Sequence, residues 1–266
     1  MNREFFEPVP PLARLLVAFV CLTLNWFAVP ASVAVPEQPV RDDHATHEGM
    51  NIPMDEPMDA AAQAKMQAKI QDDKKESEFN HHLAGFFVVI AGVFVLFQSN
   101  LVTRWRAVRY IWPACFLLAG IFVFVWSDTE LWPFGNRQWL EALQNNREVL
   151  QHKIFAALLV ALGIIEWQKA RGALDAVWSQ WIFPAVAVMG SVLLIFHQHE
   201  GGMVGEHHME TMRRIQAEHM SYLMCGLGIG LSNGLSGLRP RAAGIFRKIW
   251  PSLMILLGVL LMFYTE

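Results

Sequence analysis

Hydrophobic and polar positions alternate along this chain in long blocks. After Asn80 the apolar blocks are each about 16 to 20 residues long, which suits a helix that crosses a hydrocarbon layer of about 30 Å. Backbone amides in lipid need partners within their own segment, so each block must be helical. The pattern therefore predicts an all-α integral membrane bundle of six transmembrane helices, at 83–98, 108–127, 152–168, 181–197, 219–235 and 249–264.

An N-terminal targeting segment precedes these helices. Arg14 stands before the apolar run 15–29, and the small residues at 32 and 34 offer a cleavage site. The composition predicts a signal peptide over 1–34, and an uncleaved membrane anchor is the alternative. Either interpretation delivers 35–80 to the outside of the membrane.

The segment 35–80 has a different composition. Proline and charged residues dominate it and no aromatic residue occurs before Phe79, so it cannot bury a core. We predict an exported tail that is partly disordered, with a polar helix from Met58 to Glu78. Thioether sulfur suits Cu(I), so the tail is either a copper-scavenging segment or a linker. Its candidate ligands are His44, His47, Met50, Met54, Met58 and Met66.

The charges of the connecting loops predict an orientation. Basic residues follow the first, third and fifth predicted helices, and the positive-inside rule makes those loops cytoplasmic. All ten histidines then lie on the other side. The predicted location is the bacterial inner membrane, with the tail and every histidine facing the periplasm. The basic residues are Arg104, Arg106, Arg109, Lys169, Arg171, Arg239, Arg241, Arg247 and Lys248.

The membrane segment repeats itself three times. A histidine precedes a glycine by eleven residues and a proline by thirty-two, and an aromatic residue stands before each proline. Proline suits the first turn of a helix, which is where we expect all three. The repeat predicts three helical hairpins, 81–127, 152–199 and 219–266, which either close around a pseudo-threefold axis or lie in a row. The repeated positions are His81, His152, His219; Gly92, Gly163, Gly230; and Pro113, Pro184, Pro251.

Closed hairpins would bring the repeated histidines together near the outer surface. Imidazole is the commonest protein ligand for copper and zinc, and thioether sulfur favours Cu(I). The segment 203–218 would form an amphipathic lid above the site. The candidate metal ligands are His81, His152, His219 and His199, followed by His82, His197, His208, Met212 and Asp128.

Other features narrow the function. The net charge of −3 argues against a nucleic-acid partner, and three cysteines inside apolar runs form neither a disulfide framework nor a CxxC motif. No hydrolase or nucleotide-binding motif occurs, so we expect no enzyme activity. Two alternatives to metal handling stay open. One is a b-type haem held by paired histidines, and the other is a structural or assembly subunit of a membrane respiratory or oxidase complex.

Four stretches carry a resemblance to a known family. WSDTELWPFG at 126–135, QHKIF at 151–155, Glu166-Trp167, and LLIFHQHE at 193–200 resemble the CopD-like integral membrane proteins of bacterial copper resistance. The resemblance covers about residues 120–235. It implies a multi-span protein with outer-face histidine and methionine that binds copper for resistance, uptake or delivery, for instance to a periplasmic carrier. It favours copper, as Cu(I) or Cu(II), over zinc or haem.

Overall fold

The computed structural model describes residues 60–131, 134–196, 206–238 and 243–265. The chain divides into two units, Met1–Gln67 and Ala68–Glu266, and the contacts below all lie in the second. Within the described ranges the regular structure is helical, without a β-strand, as the apolar blocks predict. The α helices are α1 (Ala60–Leu101), α2 (Ile111–Trp126), α3 (Trp139–Asn145), α4 (Arg147–Arg171), α5 (Ile182–Leu194), α6 (Glu206–Leu238) and α7 (Ala243–Met262).

Five stretches of helix among the described residues are long and apolar enough to cross a membrane. Short 3₁₀ turns lead into α2 and α5 and lengthen them. The predicted span 219–235 lies inside α6, which is not one of the five because glycine and serine dilute its apolar residues. The five are Gln63–Leu101, Arg106–Trp126, Arg147–Arg171, Val177–Leu194 and Ala243–Met262.

Two positions at which the sequence pattern predicts one helix to end and the next to begin lie within continuous helices. α1 contains the predicted span 83–98 and most of the predicted polar helix before it. α6 begins at Glu206 and joins most of the predicted lid to the span 219–235. Neither junction carries the proline or glycine that ends helices, so the backbone hydrogen bonds run on.

The three repeated prolines are buried, but they do not all begin a helix. Pro113 and Pro184 lie in the first turn of α2 and α5, where a missing N–H does no harm. The same prediction is wrong for Pro251, which lies well inside α7. The residues before it, 243–250, are themselves helical, so this proline interrupts the helical hydrogen bonding instead of starting it.

Three repeated glycines allow close helix contacts. A Cβ atom on Gly92 would lie 2.9 Å from the carbonyl oxygen of Pro251, and one on Gly230 would lie 2.8 Å from that of Pro184. A Cβ on Gly163 would lie 2.9 Å from the backbone of α2. Helix α1 therefore packs on α7, α6 on α5, and α4 on α2. The contact between α1 and α7 joins helices of the first and last predicted hairpins.

The aromatic residues before the prolines meet one another. The ring centroids of Trp112 and Phe183 are 6.0 Å apart, those of Trp112 and Trp250 6.4 Å, and those of Phe183 and Trp250 5.1 Å. We call Trp112, Phe183 and Trp250 the aromatic cluster. It joins α2, α5 and α7 at one end of the bundle.

The connection between α2 and α4 forms a small core at the opposite end. Leu131, Ala142 and Val149 are buried against each other, with Trp139 packed beside them. The carboxylate of Glu76 on α1 accepts hydrogen bonds from the backbone and the hydroxyl of Thr129. These contacts attach the polar beginning of α1 to this end of the bundle.

Two glycines of α7 provide a matched test of helix packing. A Cβ on Gly258 would lie 2.7 Å from the carbonyl oxygen of Gly85 on α1, whereas one on Gly244 would meet nothing within 4 Å. We expect Gly258→Ala to lower the free energy of unfolding by about 1–3 kcal/mol through overpacking. Gly244→Ala should be neutral or stabilising by up to about 1 kcal/mol, because alanine favours helix. Unfolding in detergent measures both, and equal effects would contradict the α1–α7 contact.

Candidate metal centre

Side-chain amides tie helix ends together at the end of the bundle opposite the aromatic cluster. Asn80 Nδ2 donates to the carbonyl oxygen of Trp126 at 3.4 Å, and Gln151 Nε2 donates to that of Phe196 at 2.9 Å. Asn80 directly precedes His81, and Gln151 directly precedes His152. Both histidines are therefore at this end, which we call the histidine end.

Tyr264 is the centre of one group of histidines. Its side chain is fully buried. The His81 ring is stacked on it with the ring centroids 4.0 Å apart, and the His219 ring is nearly perpendicular to it with the centroids 6.4 Å apart. His82 Nε2 donates to the carbonyl oxygen of Tyr264 at 2.9 Å. We call His81, His82, His219 and Tyr264 the Tyr264 cluster. It joins α1, α6 and the end of α7.

The backbone selects one form of the imidazole in two of these residues. His81 Nδ1 lies 2.8 Å from the carbonyl oxygen of Ser77, and His219 Nδ1 lies 2.7 Å from that of Ile215. A carbonyl oxygen only accepts, so Nδ1 carries the proton and the neutral ring has its lone pair on Nε2. Histidines that bind metals commonly donate their other N–H to a carbonyl in this way.

A second group surrounds Asp128. Its Oδ1 lies 3.4 Å from His152 Nδ1, and its Oδ2 lies 2.7 Å from Lys153 Nζ. The Lys153 ammonium also donates to the carbonyl oxygen of Phe124 at 2.9 Å and to Ser127 Oγ at 3.1 Å. We call Asp128, His152 and Lys153 the Asp128 cluster. Two predicted metal ligands are thus engaged with each other and with a lysine.

Asp128 is held in its charged form by these partners. Burial alone would raise its pKa. The hydrogen bond and charge of His152, with the hydrogen bonds from Lys153 and Ser127, outweigh burial and lower the pKa of Asp128 to about 2.

The depressed pKa of Asp128 predicts a loss of stability in acid. The pKa of this carboxyl is about 4 in the unfolded chain and about 2 in the folded protein. Its charged form therefore stabilises the folded state fully above about pH 4, and this contribution is lost as the pH falls to about 2. We expect a loss on the order of 2 kcal/mol in this window. Melting temperatures of the metal-free protein between pH 5 and 2 should fall more steeply than those of Asp128→Asn. Parallel pH profiles would contradict the ion pairing.

The described residues do not complete a metal site by themselves. In the ranges that the structure describes, no three histidine, cysteine, aspartate or glutamate side chains lie close enough to hold a metal ion. The Tyr264 and Asp128 clusters share no residue. Among the other predicted ligands, His197 and His199 lie outside the described residues, as do the side chains of His208 and Met212.

The residues that organise the two clusters were not predicted from the sequence. Tyr264 follows Pro251 by the same thirteen residues that separate Trp126 from Pro113, but this spacing does not indicate contacts with histidines. Tyr222 was also missed; it is buried with its ring 5.6 Å from that of His219, one helical turn along α6. Lys153 follows a repeated histidine directly, but nothing in the spacing indicates its partner.

Comparison with known proteins identifies no relative of this chain. No family model, no curated protein and no solved structure matches it. The function must therefore be argued from the two clusters and from their place in the bundle.

Proposed function

We propose that the chain is a membrane protein that binds a transition metal, copper above others, at the histidine end and hands it to a partner there. The observation that carries the proposal is the Tyr264 cluster. His81 and His219 come from helices far apart in sequence, contact the same tyrosine, and both have Nδ1 against a backbone carbonyl. That arrangement prepares Nε2 for a metal.

The same proposal includes six transmembrane helices arranged as three hairpins around a pseudo-threefold axis, with 219–235 as the fifth. Cyclic packing supports it, because equivalent glycines place α1 on α7, α4 on α2 and α6 on α5. Hairpins in a row would leave α1 and α7 apart. The aromatic cluster lies where such an axis would leave the bundle at the end opposite the histidines. Because its three rings are in contact there, it favours metal binding at one face of the membrane over conduction of metal along the axis.

The histidine end faces the periplasm in this proposal. Arg109 and Lys169 lie near the other end, where basic residues mark the cytoplasmic side. The signal peptide or anchor at 1–34 and the exported tail agree with that orientation. The acceptor of the metal is then a periplasmic carrier or the outer face of a membrane oxidase complex.

Copper fits the donors better than other metals do. His81 and His219 supply imidazole. The further ligands come from the sequence candidates His197 and His199, which lie outside the described residues, and His208 and Met212, whose side chains are not described. Imidazole with thioether favours copper, and the resemblance to the CopD-like proteins points the same way. A haem between His81 and His219 would have to displace Tyr264, which contacts both rings.

Metal analysis and an optical spectrum of the purified protein test the proposal. We expect stoichiometric copper that survives dialysis, with no Soret band. A Soret band would replace the proposal by haem binding. Absence of both metal and haem, with a membrane complex that co-purifies, would replace it by the assembly role.

A further inference from the structure

The ammonium of Lys153 has a complete set of partners inside the bundle. The side chain is 7 % exposed, and three oxygens surround Nζ: those of Asp128, Phe124 and Ser127. The rings of Phe124 and Trp139 lie 5.7 and 5.3 Å from Nζ. Three N–H groups thus meet three acceptors, with aromatic faces on the remaining sides.

Lys153 corresponds to His82 in the first repeat. Each directly follows a repeated histidine, and each donates to a carbonyl at the end of a neighbouring helix: Phe124 on α2 for the lysine and Tyr264 after α7 for the histidine. The two interfaces therefore use one position in different ways. At α1 and α7 this position is an imidazole, whereas at α2 and α4 it is the ammonium of a lysine.

We propose that Lys153 is an internal cation that excludes metal from the Asp128 cluster and so confines metal binding to the Tyr264 cluster. The inference rests on the proposed function. A metal on His152 and Asp128 would lie beside the ammonium, and like charges in a buried site repel strongly. Asp128 already has the lysine at Oδ2 and the histidine at Oδ1, so no metal is needed to satisfy it.

The oxygens around Nζ are suitable metal ligands once the lysine is removed. Asp128 offers a carboxylate, Ser127 a hydroxyl and Phe124 a carbonyl oxygen, with the imidazole of His152 beside them. Carboxylate and imidazole together bind Cu(II) and Zn(II). Removing the charge should therefore uncover a second metal site.

Titration of Lys153→Leu with Cu(II) and with Zn(II) tests this inference. We expect the variant to bind an additional equivalent of either metal, and its melting temperature to rise with added Zn(II) by more than that of the wild type. Lys153→Arg keeps the charge and should gain no equivalent. The double variant Lys153→Leu, Asp128→Asn lacks the carboxylate and should not bind the additional equivalent of metal.

A Lys153→Leu protein with wild-type stoichiometry and an unchanged response to Zn(II) overturns the inference. If that variant does not fold, Lys153→Gln is measured in its place, because its amide still hydrogen-bonds while the charge is gone. The two proposals fail separately. Wild-type protein without metal removes the proposed function, whereas a missing gain in a metal-binding protein removes only the role of Lys153.

Discussion

Replacing His81 and His219 together by alanine is expected to weaken Cu(I) binding by about 100-fold or more. Loss of a residue that only supports a metal ligand typically costs 10- to 100-fold in affinity, so loss of two ligands should cost at least the upper end of that range. Both imidazoles contact Tyr264, and both have Nδ1 against a backbone carbonyl oxygen. Competition with a chromophoric Cu(I) chelator measures the change in the purified protein.

Ser221→Ala is the matched control for that experiment. Ser221 is exposed, close to His219 on α6, and its hydroxyl donates only to Ala217 of the same helix. The control should keep wild-type affinity and melting temperature. A double histidine variant that folds and keeps wild-type copper affinity would contradict the Tyr264 cluster as the metal centre.

Trp250→Ala is expected to lower the free energy of unfolding by about 3–5 kcal/mol. Truncating a large buried aromatic side chain removes its contacts and leaves a cavity. Trp250 is only 9 % exposed and contacts both other members of the aromatic cluster, so its loss loosens the packing of α2, α5 and α7 together. Denaturant unfolding in detergent micelles, followed by circular dichroism, measures the loss.

Trp105→Ala controls for the loss of a tryptophan as such. Trp105 is 62 % exposed, outside the aromatic cluster, and its replacement should change the stability by no more than about 0.5 kcal/mol. Equal losses in the two variants would mean that the aromatic cluster does not hold α2, α5 and α7 together.

Hydropathy predicts most of the fold because long apolar blocks can only be helices in lipid. The all-helical prediction is confirmed for the described residues, with five helices of membrane length. Helix boundaries were harder to predict, since the polar residues before His81 and His219 favour helix as well and let α1 and α6 run on. Pro251 was misplaced for the same reason, because a helix also forms in front of it.

The candidate site was predictable only in part. Repeat spacing predicts one depth for His81, His152 and Asp128, because equal spacing along antiparallel helices gives equal depth. In the structure His152 Nδ1 lies 3.4 Å from Asp128 Oδ1, and Asn80, beside His81, donates to the end of α2. Spacing carries no information on how each helix is rotated about its axis. That rotation decides which side chains meet, so neither the Lys153–Asp128 ion pair nor the Tyr264 contacts were foreseen.

X-ray absorption at the copper edge of the copper-loaded protein directly tests the proposed copper centre. We predict imidazole scattering in the first coordination shell of copper, and a loss of that scattering when His81 and His219 are replaced by alanine. A first shell without imidazole, or a spectrum unchanged in the variant, would contradict a copper centre at the Tyr264 cluster.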